Sequence, residues 1–236
     1  MTAFIVAPHV DRVEILSDGA QYTPDGVFLG SAEKVITSDV IPLAVVGSGA
    51  VAEITALAAV IMRAAEATGS VDDTLEILAG SLADTGKEAT LDTGLRMAIG
   101  AISETRGPVC FMFSTFADPA GTTRPFELQR MTRCFAQGAA PTGIDLVAYG
   151  PLSIDEGLEK DAVFLMESMR RQKMVNPASP DGEPRHSVGG HVDLTVVRAD
   201  GYERRRLHEW PEDVVGQKIE PFAGQRARVM EAKETL

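Results

Sequence analysis

The sequence predicts an α+β fold, a four-layer α-β-β-α sandwich of two antiparallel sheets, and three observations carry that expectation. Strand-like runs come in blocks, five within about the first fifty residues, three between 109 and 149 and two near the end, instead of alternating singly with helices. Between the first two blocks lie consecutive segments of helical period, which suits helices layered on the outer face of a sheet. The 236 residues are 44% hydrophobic and 24% charged and no linker divides them, so one large core is expected. The domain is placed at 1–210, with the polar residues 211–236 as a C-terminal tail or an arm over a neighbour.

In order, residues 4–10 and 13–16 are β-prone runs joined by Asp11-Arg12, a hairpin. Residues 27–29 and 33–37 read as a second pair, and 41–46 as a buried strand running into Gly47-Ser48-Gly49. From Ala50 the period changes: Val51, Ile54, Leu57, Ala58 and Ile61 share one helical face, and Gly69-Ser70 closes that helix. A second helix spans 71–84 through Leu75, Leu78 and Leu82, and a shorter helical segment is expected over 91–102, stopped by Gly107-Pro108. Residues 109–116, 126–133 and 144–149 read as strands, the last one buried. Residues 154–174 read as a helix with an acidic start at Asp155, Glu156, Glu159 and Asp161. A Pro-rich loop over 176–184 then leads to a hairpin of 191–198 and 202–210 through Ala199-Asp200-Gly201.

Charge and cysteine content narrow the partners. With 22 Lys+Arg against 34 Asp+Glu the net charge is −12, so neither nucleic acid nor an anionic lipid surface is an expected partner. No apolar stretch approaches the roughly 20 residues that span a bilayer, and no leader is recognised. The two cysteines, Cys110 and Cys134, make no disulfide framework and suit a reducing, cytoplasmic setting as packed thiols.

The chemistry centres on the second residue. Loss of Met1 would leave Thr2 with a free α-amine beside its own hydroxyl, a nucleophile and a base of pKa about 7.7–8.0 in one residue. Asp18 stands sixteen positions further on and Lys34 thirty-two. The text Thr2-Ala3-Phe4-Ile5-Val6, Ser17-Asp18-Gly19 and Gly30-Ser31-Ala32-Glu33-Lys34 resembles the proteasome-type N-terminal-nucleophile (Ntn) hydrolases, most like a catalytic β-type subunit or a bacterial proteasome-like peptidase. The resemblance covers about 2–210 and extends to the glycine turn Gly47-Ser48-Gly49 and to the pair Gly189-Gly190. It implies Thr2 as nucleophile and, through its amine, general base, Lys34 as the charge that tunes it, and Asp18 as the anchor of Lys34. It further implies a backbone amide near Ser48 and Gly49 at the oxyanion, and support from Ser187, Gly189 and Gly190. No cofactor or metal is implied. The expected partner is the chain itself, in a ring or stacked-ring homo-oligomer, with an unfoldase or a larger assembly as a further possibility.

The sequence also departs from that pattern. Arg185 and Val188 occupy the positions where the active family carries an Asp and a Ser, with Ser187 adjacent, and a middle-strand Gly-Ser-Gly turn is present only as Tyr149-Gly150-Pro151. The alternative is therefore a catalytically silent subunit that keeps the fold for assembly. A rival reading of Gly47-Ser48-Gly49 as a dinucleotide-binding turn expects a strand where 71–84 reads as helix. His9, His186, His191 and His208 read as solvated or hydrogen-bonded side chains. The run Arg204-Arg205-Arg206 reads as a subunit contact or a solvated edge, and Met166, Met169 and Met174 as core or interface filler.

Overall fold

The computed structural model describes residues 2–88, 94–117, 124–175 and 183–222. Twelve strands and four helices are found among them, in the order β1 (Phe4–Pro8), β2 (Val13–Asp18), β3 (Ala20–Tyr22), β4 (Phe28–Ser31), β5 (Val35–Thr37) and β6 (Leu43–Ser48), then α1 (Val51–Thr68) and α2 (Val71–Glu88). They continue with β7 (Arg96–Ser103), β8 (Gly107–Ser114), β9 (Gln129–Met131), β10 (Phe135–Gln137), α3 (Gly143–Tyr149), α4 (Ala162–Arg170), β11 (His191–Arg198) and β12 (Gly201–Glu209).

The chain is a mixed α+β protein with two five-stranded sheets, ordered β10-β1-β2-β11-β12 and β5-β6-β7-β8-β9, and every strand pair in them is antiparallel. Alternation along each strand sorts its side chains between two faces. Phe4, Val6, Val13 and Ile15 of the first sheet meet Val35, Ala44, Val46, Ala98 and Cys110 of the second in one buried cluster. The opposite faces carry helices. Leu43, Val45, Met97 and Ile99 pack under α1 and α2 through Ala58, Ile61, Leu75 and Leu78. Ile5, Leu16, Leu194 and Val196 pack under α4 through Leu165, Met166 and Met169. The period read from the sequence for α1 and α2 is the period of burial from Ile54 onward, whereas Val51, in the first turn of α1, is 65% exposed; α1 ends at Gly69 as expected.

Four local readings are corrected. The expected pair of 27–29 with 33–37 does not form: β4 pairs with β3, and β5 pairs with β6. The expected short helix over 91–102 is instead strand β7 from Arg96, residues 91–93 lying outside the described residues. Its strand is central and buried on both faces, so apolar residues run almost without interruption and the twofold period is hidden. Residues 144–149 are not a buried strand but belong to α3, which begins with a reciprocal cap in which Thr142 and Asp145 each bond the other's backbone N–H. Ile144 and Val147 on it are 84% and 87% exposed. The helix expected over 154–174 is confined to Ala162–Arg170. Gly157, at φ 145°, interrupts the acidic run, and the Leu158 N–H is drawn instead to the buried Glu14 carboxylate at 2.6 Å.

The hairpin of β11 and β12 turns at Ala199-Asp200 as expected. Residues 211–222 lie on their own domain. Gln217 O accepts from Phe28 N, Gly216 N donates to Phe28 O, and Ile219 is buried with Ala20 and Phe28.

Candidate functional site

Asp18 ends β2 with no exposed surface, and it gathers four donors. Its Oδ1 accepts from the Lys34 ammonium at 2.9 Å and from the Ala3 N–H at 3.0 Å, while Oδ2 accepts from the N–H groups of Ala20 at 3.2 Å and Gly189 at 3.3 Å. A buried carboxylate is tolerated only when paired and hydrogen-bonded, and here the pairing joins the residue after Thr2, the lysine and the glycine pair. The following residue has no room for a side chain. A Cβ on Gly19 would lie 2.3 Å from the His191 ring, and the Gly19 N–H donates to the carbonyls of both Gly189 and His191.

Lys34 precedes β5, and its side chain is only 11% exposed. Its flanking residues are gripped from β12: the Arg204 guanidinium binds the Glu33 carboxylate and donates to Val35 O at 2.6 Å. Each arginine of the run has a carboxylate partner within the chain, and the side chains of Arg205 and Arg206 are exposed. Arg205 forms a two-point contact with Glu159, and Arg206 pairs with Asp193 and Glu209.

Thr2 sits just before β1, 8% exposed, and its N–H donates to Ser48 Oγ at 3.2 Å. Parity explains the meeting. Phe4 and Val6 face the second sheet, so Thr2 lies on the same side, and Ala44 and Val46 of β6 face the first sheet, so Ser48 looks back at it. The backbone of Ser48 is engaged elsewhere. The Ile102 N–H donates to Pro42 O, which fixes the even-numbered residues of β6 as the hydrogen-bonded partners of β7, and Ser48 is paired with Arg96. Of the two amides expected near the oxyanion, Gly49 is the one outside the ladder, and its N–H has no partner among the described residues.

Thr2, Lys34 and Gly49 line a cavity of about 300 Å³, and Leu29, Ile36 and Ile54 supply the apolar part of its wall. The lining thus offers a carbonyl compound a hydroxyl, a nitrogen and an ammonium, and offers an apolar substituent aliphatic side chains.

The glycine pair is braced from behind. Gly190 N–H donates to Asp213 Oδ2 at 2.7 Å, and Asp213 forms a two-point ion pair with the fully buried Arg170 at 2.6 and 2.8 Å. Arg170 also donates to Val188 O at 2.9 Å and lies 4.7 Å from the centre of the Trp210 ring. Ser187 bonds the Tyr22 hydroxyl, a phenol that burial and then the Asp18 charge hold well above the usual tyrosine range. No bond joins Ser187 to Thr2 among the described residues. Arg185 pairs through its backbone with Met174, and Val188 is core. The roles of the Ser48 hydroxyl, Tyr22, Arg170, Arg204 and Asp213 escape sequence reasoning, since none has a local pattern that marks it.

Other features fall outside this site. β6 is antiparallel to both its neighbours, so the Gly47-Ser48-Gly49 turn does not open a parallel βαβ unit, and the dinucleotide reading is set aside. The four histidines go separate ways: His9 to Glu14, His186 to the Arg170 carbonyl, His191 to Asp193, His208 against Trp210. Burial pushes the Cys110 thiol up to about 12 and the Cys134 thiol up to about 11. Among the described residues no helix is long and apolar enough to cross a membrane. No protein-family model matches the chain, and no curated protein matches it in sequence.

Proposed function

We propose that the chain is a proteasome-like N-terminal-nucleophile hydrolase, a threonine-type peptidase or amidohydrolase acting through Thr2 once Met1 is removed. The observation that carries this reading is the buried Asp18 carboxylate, which binds both Lys34 and the residue following Thr2, while Thr2 and Lys34 themselves line one cavity. The arrangement of helices outside two facing antiparallel sheets is in keeping with it.

In this reading the Thr2 hydroxyl attacks the substrate carbonyl carbon and its proton passes to the α-amine. The Lys34 ammonium favours the neutral amine and the developing alkoxide, and Asp18 keeps Lys34 in place. The carbonyl electrons collect on oxygen, where the Gly49 N–H is available to receive them. Collapse expels the leaving amine with the proton held on the Thr2 nitrogen, and water then hydrolyses the ester. The apolar wall favours an aliphatic or aromatic side chain on the acyl side of the scissile bond. A panel of fluorogenic peptide amides, assayed with protein beginning at Thr2 and with Thr2→Ala, tests this: Thr2-dependent hydrolysis is expected, and equal rates would overturn it.

A second reading, in which the fold serves assembly without hydrolysis, draws on the exposed Ile144 and Val147 of α3 and on Val60 and Ile77 of α1 and α2. Both readings propose a homo-oligomer, a ring or a stack of rings, to which an unfoldase or a larger assembly could attach. Light scattering should give a closed multimer for the wild type and Thr2→Ala alike, and a 25 kDa species would count against it.

A further inference from the structure

We infer that the Ser48 side chain is a positioning residue for the Thr2 nitrogen, an inference that rests on the hydrolase reading above. Ser48 Oγ accepts the Thr2 N–H at 3.2 Å, in a buried setting where Ser48 is 5% and Thr2 8% exposed. It is the one hydrogen bond of the Thr2 nitrogen among the described residues. Register commits the Ser48 backbone to β7, so the residue is held at a fixed point of a rigid sheet while its hydroxyl alone faces the opposite sheet.

The contact has a chemical consequence. With Met1 attached, the Thr2 nitrogen is a peptide nitrogen with one hydrogen and no basic lone pair. With Met1 gone, it is an amine that can keep the same N–H to Ser48 Oγ. One hydrogen held at a fixed acceptor limits rotation about the Cα–N bond, and the lone pair can then be directed at the Thr2 hydroxyl, whose proton it must accept as the Oγ–carbon bond forms. Orientation of this kind acts on the chemical step and leaves substrate binding unchanged. Accepting from the nitrogen also favours its protonated form.

The test compares protein beginning at Thr2 in four forms, wild type, Thr2→Ala, Ser48→Ala and Ser48→Thr, on a leucine-ending tripeptide amide of aminomethylcoumarin. Ser48→Ala is expected to lower kcat by about tenfold or more with KM within twofold. The acid limb of its kcat profile should move to lower pH, because the ammonium loses an acceptor. Ser48→Thr, which keeps the hydroxyl, should restore most of kcat and the limb. A Ser48→Ala protein with wild-type kcat and an unmoved limb would overturn the inference alone. So would a kcat loss that Ser48→Thr does not repair, or one that follows a fall in thermal midpoint with no movement of the limb. A wild type no faster than Thr2→Ala would overturn the hydrolase reading and this inference with it.

Discussion

Asp18 and Lys34 form a buried ion pair at 2.9 Å, and the same carboxylate oxygen accepts the N–H of Ala3. The position of the chain's first strand and that of its buried ammonium are therefore set by one atom. Lys34→Met should lower Thr2-dependent hydrolysis by about 100-fold or more, and it leaves the buried Asp18 carboxylate only its three backbone N–H donors. Asp18→Asn should lower hydrolysis too, and in urea unfolding should also cost about 3–5 kcal/mol, because a buried ammonium is left without its counter-charge. An Asp18→Asn protein of wild-type stability would show the pair to be incidental.

Arg170 and Asp213 test a different dependence, that of the glycine pair on the segment after β12. Arg170→Met leaves a 1%-exposed carboxylate without its partner and should cost about 3–5 kcal/mol. Arg205→Ala breaks a pair whose side chains are 40% and 52% exposed, and should cost no more than about 1 kcal/mol. Equal effects in urea titrations would refute the ranking.

Gly19→Ala would drive a methyl group into the His191 ring and should destabilise the protein by about 1–3 kcal/mol. The double variant Gly19→Ala, His191→Ala should recover part of that loss, since the clash requires both side chains. A cycle with no coupling would contradict the packing described at Asp18.

The pH dependence of stability should carry the mark of Asp193. Burial opposes its ionisation, but hydrogen bonds from His191 and Arg206 prevail and hold its carboxyl below the usual range. A carboxyl lowered in the folded state contributes stability that is present above the unfolded value of 3.8 and is lost as pH falls through the folded value. Asp193→Asn should therefore be less stable than wild type at pH 7 and approach it in acid below pH 3.8. A difference constant across that range would rule out ionisation as the cause.

How much of this was legible in the sequence depended on whether burial left a period behind. α1 and α2 each bury one face, so Ala58, Ile61, Leu75 and Leu78 announce them. β7 is covered on both sides and α3 buries none of its residues, so neither shows the signature its element normally leaves. At the candidate site, Thr2, Asp18 and Lys34 were singled out by the family resemblance that their spacing carries, and the structure joins Asp18 to Lys34 and to the residue after Thr2. The pairings of Ser48 and Arg204 were not legible, because the partners lie 46 and 169 or more residues away and are supplied by strand register alone.

The central claim is that Thr2 is a nucleophile. Protein beginning at Thr2 should be treated with an acylating β-lactone, digested, and its N-terminal peptide weighed. One lactone mass on the peptide that starts at Thr2, absent from Thr2→Ala and from protein retaining Met1, is the predicted result. An unmodified peptide, or labelling that persists in Thr2→Ala, would contradict it.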